Sequence, residues 1–298
     1  MAAADDEAQG LFVVDGRLRR RRIVNRVMEA LATLAAMVAV ALLVIVVVSV
    51  VKNGWDALSV SFFTETPTFS ALGESGGGIA NSIVGSLILV TLATLFALPV
   101  GVLTAIYVSE LAPRSVANVI RLALDVTNGL PTIVVGIFVF SAIVISRGQS
   151  ALAGSFALAI IALPLIARST QEVLRLVPPS LREAGLALGA PRWRTILGVV
   201  LPTSMGGILT GTTLAIARIA GETAPLLFTT SLAAMTVMWD PRDPVQSMPL
   251  TIFQYIEQPD PSYHAKAWAT GAVLLAFVLV LSLCSKFFLA RSRRRLSG

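Results

Sequence analysis

The chain has 298 residues, 55% of them hydrophobic and only 13% charged, with a mean hydropathy of +0.81. Soluble domains carry about 25% charged residues, so this balance excludes one and points to a membrane protein. The net charge of +6 comes from arginines gathered beside apolar runs, which is a signal of membrane orientation rather than of nucleic-acid binding.

A helix needs about 20 apolar residues to cross about 30 Å of hydrocarbon. Six runs meet that need: Ala30 to Val51, Ile79 to Tyr107, Leu130 to Ile145, Ala151 to Leu174, Ser204 to Leu227 and Ala267 to Leu289. The first is too long for a signal peptide and is expected to remain as an anchor. Pro99 and Pro164 are expected kinks, and Pro131 breaks the short third run.

Ahead of the first run lies a basic tail, residues 1–29, and after the last a second, residues 290–298. With the N-terminus inside, eighteen Lys and Arg residues fall on cytoplasmic segments against four outside (Lys52, Arg147, Arg242, Lys266), leaving Arg218 within a run. The expected fold is therefore an all-α membrane protein of six transmembrane helices with both termini cytoplasmic. It would consist of a first helix at 30–51 and a larger region at 79–289.

The outer loops are expected to be 51–78, ending in Gly76-Gly77-Gly78, and the proline-rich 228–266. In the latter, the apolar patch Leu250 to Ile256 is too short to span and would lie at the interface or pack on the bundle. The lone His264 reads as an exposed side chain. The single cysteine, Cys284, permits no intramolecular disulfide.

The loop at 178–202 carries helix punctuation. Ser180 with Glu183 three residues on fits a capping box, Gly189 suits a left-handed C-terminus, and Pro191 stops continuation, giving a helix over about Leu181 to Leu188. So short a helix needs packing for stability. Its small and apolar face, Leu181, Ala184, Gly185 and Leu188, could cover the chain's own spans or dock on a partner.

Within the fifth run, Arg218 and Glu222 stand four residues apart and could pair. A central membrane arginine costs about 2.5 to 3.5 kcal/mol on insertion scales. Either the two form a structural ion pair between helices or Arg218 offers its planar fork to an oxyanion while Glu222 holds it when the path is empty. Arg168 would either snorkel to the interface or stand at the inner end of the same path. A carboxylate such as Glu222 could accept a proton from phosphate, which keeps one near neutral pH, and repel sulfate, which does not.

Glu183-Ala184-Gly185, three residues, Gly189, nine residues, then Val199-Val200-Leu201-Pro202 resembles the EAA loop of type I ABC importer permeases, with Gly185 in place of the second alanine. Gly129-Leu130-Pro131-Thr132-Ile133-Val134-Val135-Gly136, Ile166-Ala167-Arg168-Ser169-Thr170 and Gly221-Glu222-Thr223-Ala224-Pro225-Leu226 are similar to segments of the permeases of phosphate-specific importers.

The resemblance implies that 79–289 is a permease domain whose loop at 178–202 couples to ATPase subunits through Ser180, Glu183, Ala184, Gly185, Gly189 and Pro202. It also places Arg218, Glu222 and Arg168 on the substrate pathway. Its implied partners are a second permease, a pair of ATPase subunits, an extracytoplasmic phosphate-binding protein, phosphate and membrane lipid, in a bacterial inner membrane. The chain itself would bind no cofactor, since it lacks a Gly-x-x-x-x-Gly-Lys-Ser/Thr loop; ATP and Mg would be used by the partner ATPase. Two other readings stay open: a permease for another oxyanion or small solute, and an anion channel or structural membrane subunit.

Overall fold

The computed structural model describes residues 16–69, 75–231 and 235–296. The first fifteen residues of the basic N-terminal tail, the first part of the glycine-rich stretch (Gly73, Glu74) and the last two residues lie outside the described residues. The chain divides after Lys52 into two units. The first holds nearly all of helix α1, Gly16–Gly54, in which the apolar run has grown backwards through the arginines, because Arg and Leu alike favour helix.

The second unit begins with a short helix α2 (Val60–Thr64) and a hairpin of β1 (Pro67–Phe69) and β2 (Ser75–Gly77). Helix α2 and the turn after it hold the start of the next helix: the Ile79 N–H donates to Phe62 O at 2.8 Å and the Ala80 N–H to Glu65 O at 3.0 Å. Then come α3 (Ala80–Leu111), α4 (Arg114–Gly129), α5 (Thr132–Arg147), α6 (Ala151–Arg175), α7 (Pro179–Ala187) and α8 (Arg192–Ala220). The chain closes with α9 (Leu226–Thr229), α10 (Met248–Ile256) and α11 (Pro261–Leu296).

Among the described residues, five helices are long and apolar enough to cross a membrane, and a sixth span forms if α4 and α5, bent by 97°, are counted as one. The expected third span at Leu130 to Ile145 is thus corrected: it begins at Thr132, and the residues before it form a separate helix. Pro131 is the cause. It cannot donate to the preceding turn and it forces Leu130 into extended backbone, which ends α4.

Span five is corrected at both ends, since α8 starts at Arg192 and stops at Ala220 rather than running from Ser204 to Leu227. Near its start, Ile196–Val200 widens into a π-type turn just before Pro202. Pro202 has no N–H for the carbonyl of Gly198, and a wider turn relieves the clash between ring and carbonyl.

The centre of the unit is the pair α3 and α6, whose facing residues are mostly small. A Cβ on Gly154 would stand 2.8 Å from Leu89, and one on Gly101 would stand 3.0 Å from Ile166. Small residues allow such approach where lipid supplies no hydrophobic drive. Both contacts pair residues 65 positions apart, so α3 and α6 run parallel. On the other side, Gly207 meets Val173 and Gly211 meets Ser169, so α8 runs antiparallel to α6. This alternation is what consecutive crossings from span two through span five require.

The patch expected at Leu250 to Ile256 is helix α10, capped by the Ser247 side chain, which accepts from the Leu250 N–H. It packs on the bundle. Met248, Leu250, Thr251 and Tyr255 are buried, and polar ties to α3 hold it: Asn81 Nδ2 donates to Gln246 Oε1 at 3.0 Å and the Met248 N–H to Ser86 Oγ at 2.8 Å. His264 is exposed, as expected, with Nε2 2.8 Å from Gln258 O.

Candidate functional site

Two arrangements concern function, and α8 joins them. The first is helix α7. Its N-cap is Pro178, with no side-chain cap bond, so the Ser180–Glu183 capping box does not form. Pro179 has no N–H to satisfy and its preset φ suits the first helical position, which starts the helix two residues early and puts Ser180 inside the first turn. The C-terminus is as expected. Gly189 has φ +77°, its N–H donates to Leu186 O at 2.9 Å, and the Ala190 N–H donates to Gly185 O at 3.3 Å, which is a Schellman closure.

Of the face Leu181, Ala184, Gly185 and Leu188, only Gly185 is buried, and Leu188 is 88% exposed. The helix therefore does not bury its apolar face against its own spans. Glu183, next to Ala184, is exposed as well. Gly185 is where α7 rests on the start of α8: a Cβ there would stand 2.6 Å from Thr195 Cγ2. Thr195 is β-branched and stiff, so there is little room to give.

Replacing Gly185 by Val is expected to overpack this contact at a cost of about 1 to 3 kcal/mol. A lowered melting temperature of the detergent-purified protein would register it. An unchanged melting temperature would show that the contact does not constrain α7.

Arg182 is the side chain that sequence reasoning missed on α7. Its Nη2 and Nε donate to the Glu110 carboxylate, at 2.8 Å and 3.2 Å, and its remaining reach goes to backbone carbonyls: Nη1 to Val177 O at 2.6 Å and Nη2 to Leu174 O at 2.7 Å. In sequence it reads only as one more cytoplasmic positive charge.

The second arrangement is a cavity of about 460 Å³ between α4, α6 and α8, lined by Asn128, Pro164, Arg168, Ser169, Glu172 and Arg218 among others. Its size is in the range of small-ligand sites, roughly 300 to 1,000 Å³. Arg168 and Arg218, fifty residues apart, thus share one space. Arg168 is not at a helix end reaching for an interface. It forms an ion pair with Asp125 of α4 and donates to Arg121 O at 3.4 Å.

In sequence Arg121 is one of the eighteen cytoplasmic positive charges, and Asp125 and Asn128 are not singled out. The signal was present. Arg114, Asn118, Arg121, Asp125 and Asn128 recur at helical spacing, a polar stripe along an otherwise apolar helix.

Arg218 is half exposed and lies in the last turn of α8. Glu222 sits two residues past that helix, because Gly221 ends it. The pair is nevertheless in reach, with Arg218 Nε 3.8 Å from Glu222 Oε1. That separation is loose for an ion pair, and the guanidinium keeps donors for another acceptor. The turn after Glu222 is held from the other side by α5. A Cβ on Gly136 would stand 2.7 Å from Pro225 Cα, and Phe140 meets Phe228 edge to face with centroids 6.5 Å apart. The Gly129–Gly136 segment and the Gly221–Leu226 segment, singled out separately in the sequence, therefore pack on one another.

Five or six spans, with a short, exposed helix between two of them, define a multi-pass membrane protein. The family model described as the binding-protein-dependent transport system inner membrane component matches residues 97–298. A chain of the MetNI methionine ABC transporter, solved in inward-facing conformations, superposes with a TM-score of 0.56 over 72% of this chain and 93% of that one, at 18% identity. A transporter that imports the acidic polysaccharide alginate gives 0.56 over 71% and 79%, at 16% identity.

The phosphate transport system permease protein PstA of Yersinia pestis is 40% identical over 276 residues, covering 92% of both chains. PstA 1 of Mycobacterium tuberculosis is 35% identical over 282 residues, covering 93% of this chain and 92% of that protein. The chain belongs to the PstA family of phosphate transport system permeases, within the inner membrane components of binding-protein-dependent transport systems.

Proposed function

We propose that the chain is a membrane permease subunit of an ATP-driven phosphate importer, and that together with a second permease it forms the path for the anion. The observation that carries this reading is the cavity shared by Arg168 and Arg218, one wall of which is α8, the helix that begins at the loop holding α7. Two guanidinium groups facing one space favour an oxyanion, since their planar forks match its oxygens bidentately.

Both arginines are held by carboxylates, Asp125 and Glu222, that an arriving anion can replace as partners. A cation so held is compensated within the bundle without being locked in place. A carboxylate near the path, Glu222 or the cavity-lining Glu172, would accept a hydrogen bond from a phosphate that retains a proton and would repel fully ionised sulfate.

On this reading α7 docks in the ATPase through its outward residues, with Glu183 and Ala184 on the docking face. Ser180 and Pro202 mark the ends of the coupling segment, and Gly185 and Gly189 fix its seat and its end. Nothing but a rigid element gripped by the ATPase can carry its closure into the spans. The chain would bind no cofactor, and ATP with its Mg would act in a pair of partner ATPase subunits. An extracytoplasmic phosphate-binding protein would deliver the anion at the opposite end. Both termini would then be cytoplasmic, in a bacterial inner membrane.

The test is growth and uptake in a strain lacking its own phosphate importer but supplied with the binding protein, the second permease and the ATPase. Adding this chain is expected to restore uptake of phosphate and not of sulfate. Equal restoration of sulfate uptake would favour a permease for oxyanions in general. Uptake that persists without ATPase would favour a channel.

A further inference from the structure

Helix α7 is shallowly seated. Leu181, Leu186 and Leu188 are exposed and Gly185 alone is buried, so apolar packing gives the helix little purchase on the spans. Its polar tie is Arg182, whose fork closes on Glu110 while two further donors reach the carbonyls of Leu174 and Val177. Those carbonyls lie at and just past the end of α6, and Glu110 lies at the end of α3. One guanidinium therefore joins α7 to both members of the parallel central pair. The two side chains are largely shielded, at 25% exposure for Arg182 and 10% for Glu110.

The place where Glu110 attaches is itself unusual. Tyr107–Leu111 is a π-type turn, and across a cavity of about 290 Å³ that includes Glu110, Arg182, Ile196 and Val200 stands the π-type turn Ile196–Val200 of α8. Wide turns interrupt the regular hydrogen-bond ladder and are common at functional sites. A rigid, doubly bonded fork set against two such turns makes a lever with soft points where it meets the spans.

We propose that Arg182 and Glu110 are a positioning pair that transmits movement of α7 into α3, so that phosphate passage and ATP hydrolysis stay linked. This rests on the reading of α7 as the docking helix. The pair touches neither the anion cavity nor the exposed face of α7. It acts through geometry, because a bidentate fork fixes direction as well as distance where a single point charge fixes only distance.

The experiment uses the complete complex with ATPase, second permease and binding protein in proteoliposomes, and reads phosphate transported per ATP hydrolysed together with ATPase retained on purification. Glu110→Gln and Arg182→Gln are each expected to keep the ATPase and to lower phosphate per ATP about tenfold, a size usual for coupling between sites. The double variant is expected to be no worse than the worse single, and Arg182→Lys to fall between, since lysine keeps the charge without the fork.

An unchanged ratio in both singles, losses that multiply in the double, or loss of the ATPase from a single variant would each overturn the proposal. Failure of the docking reading is separately visible: Leu188→Glu, on the exposed face, would then leave ATPase binding intact whatever the pair variants do. Arg182→Lys keeps the test open if a glutamine variant fails to fold.

Discussion

Phosphate uptake by a complex carrying Arg218→Ala is expected to fall by about tenfold to a hundredfold, the size of one lost hydrogen bond to a charged group. Arg218 is only half exposed, its pairing with Glu222 is loose at 3.8 Å, and it shares a cavity with Arg168. Truncating it removes a positive charge from the path and leaves Glu222 to repel the anion. Glu222→Gln should act differently. The carboxylate's repulsion goes, so phosphate uptake changes less than in Arg218→Ala while sulfate competes better. Uptake assays with labelled phosphate and unlabelled sulfate separate the two. Wild-type phosphate uptake in both variants would sink the assignment of the pair to the pathway, and the pair would stand as a structural ion pair.

Glu183→Lys is expected to release the ATPase from membranes with little effect on the permease fold. Glu183 makes no ion pair among the described residues, so a charge reversal there breaks none within the chain. An interface residue of this kind is worth at least about 2 kcal/mol on a docking surface, or roughly thirtyfold in affinity. Co-purification of tagged permease and ATPase reads the result. Gly189→Asp should act on the same docking by another route, since its φ of +77° is strained for any residue with a side chain and the end of α7 would refold. ATPase retained at wild-type levels in both would mean that α7 is not the docking helix.

The parts legible in the sequence were those with a local cause. Spans two, four and six are long apolar runs, and hydropathy finds them. Gly189 and Pro191 mark the end of α7 because a left-handed residue and a ring without an N–H act within a turn. Local signals also misled. Ser180 and Glu183 have capping-box spacing, but Pro179 pre-empts the start of the helix. Gly221, inside the expected span Ser204 to Leu227, ends α8 and leaves Glu222 beyond it.

What stayed hidden depends on contacts between distant segments. Nothing near Arg182 announces Glu110, 72 residues earlier, and nothing near Arg168 announces Asp125. Helix α4 was readable in principle from its polar stripe, but a search for unbroken apolar runs passes over a helix whose buried face is narrow and whose polar face lines a cavity. The resemblance of Gly185 to the alanine of the EAA pattern was visible in sequence; the reason for the glycine, Thr195 at 2.6 Å from where a Cβ would stand, needed the fold.

The most direct measurement is ATP-driven accumulation of labelled phosphate in proteoliposomes containing the whole complex, assembled with this chain or without it. Accumulation is expected to need this chain, ATP and the binding protein together, and to be left largely unaffected by excess sulfate. Accumulation that proceeds when this chain is omitted, or sulfate carried as readily as phosphate, would contradict the assignment of this chain to the phosphate path.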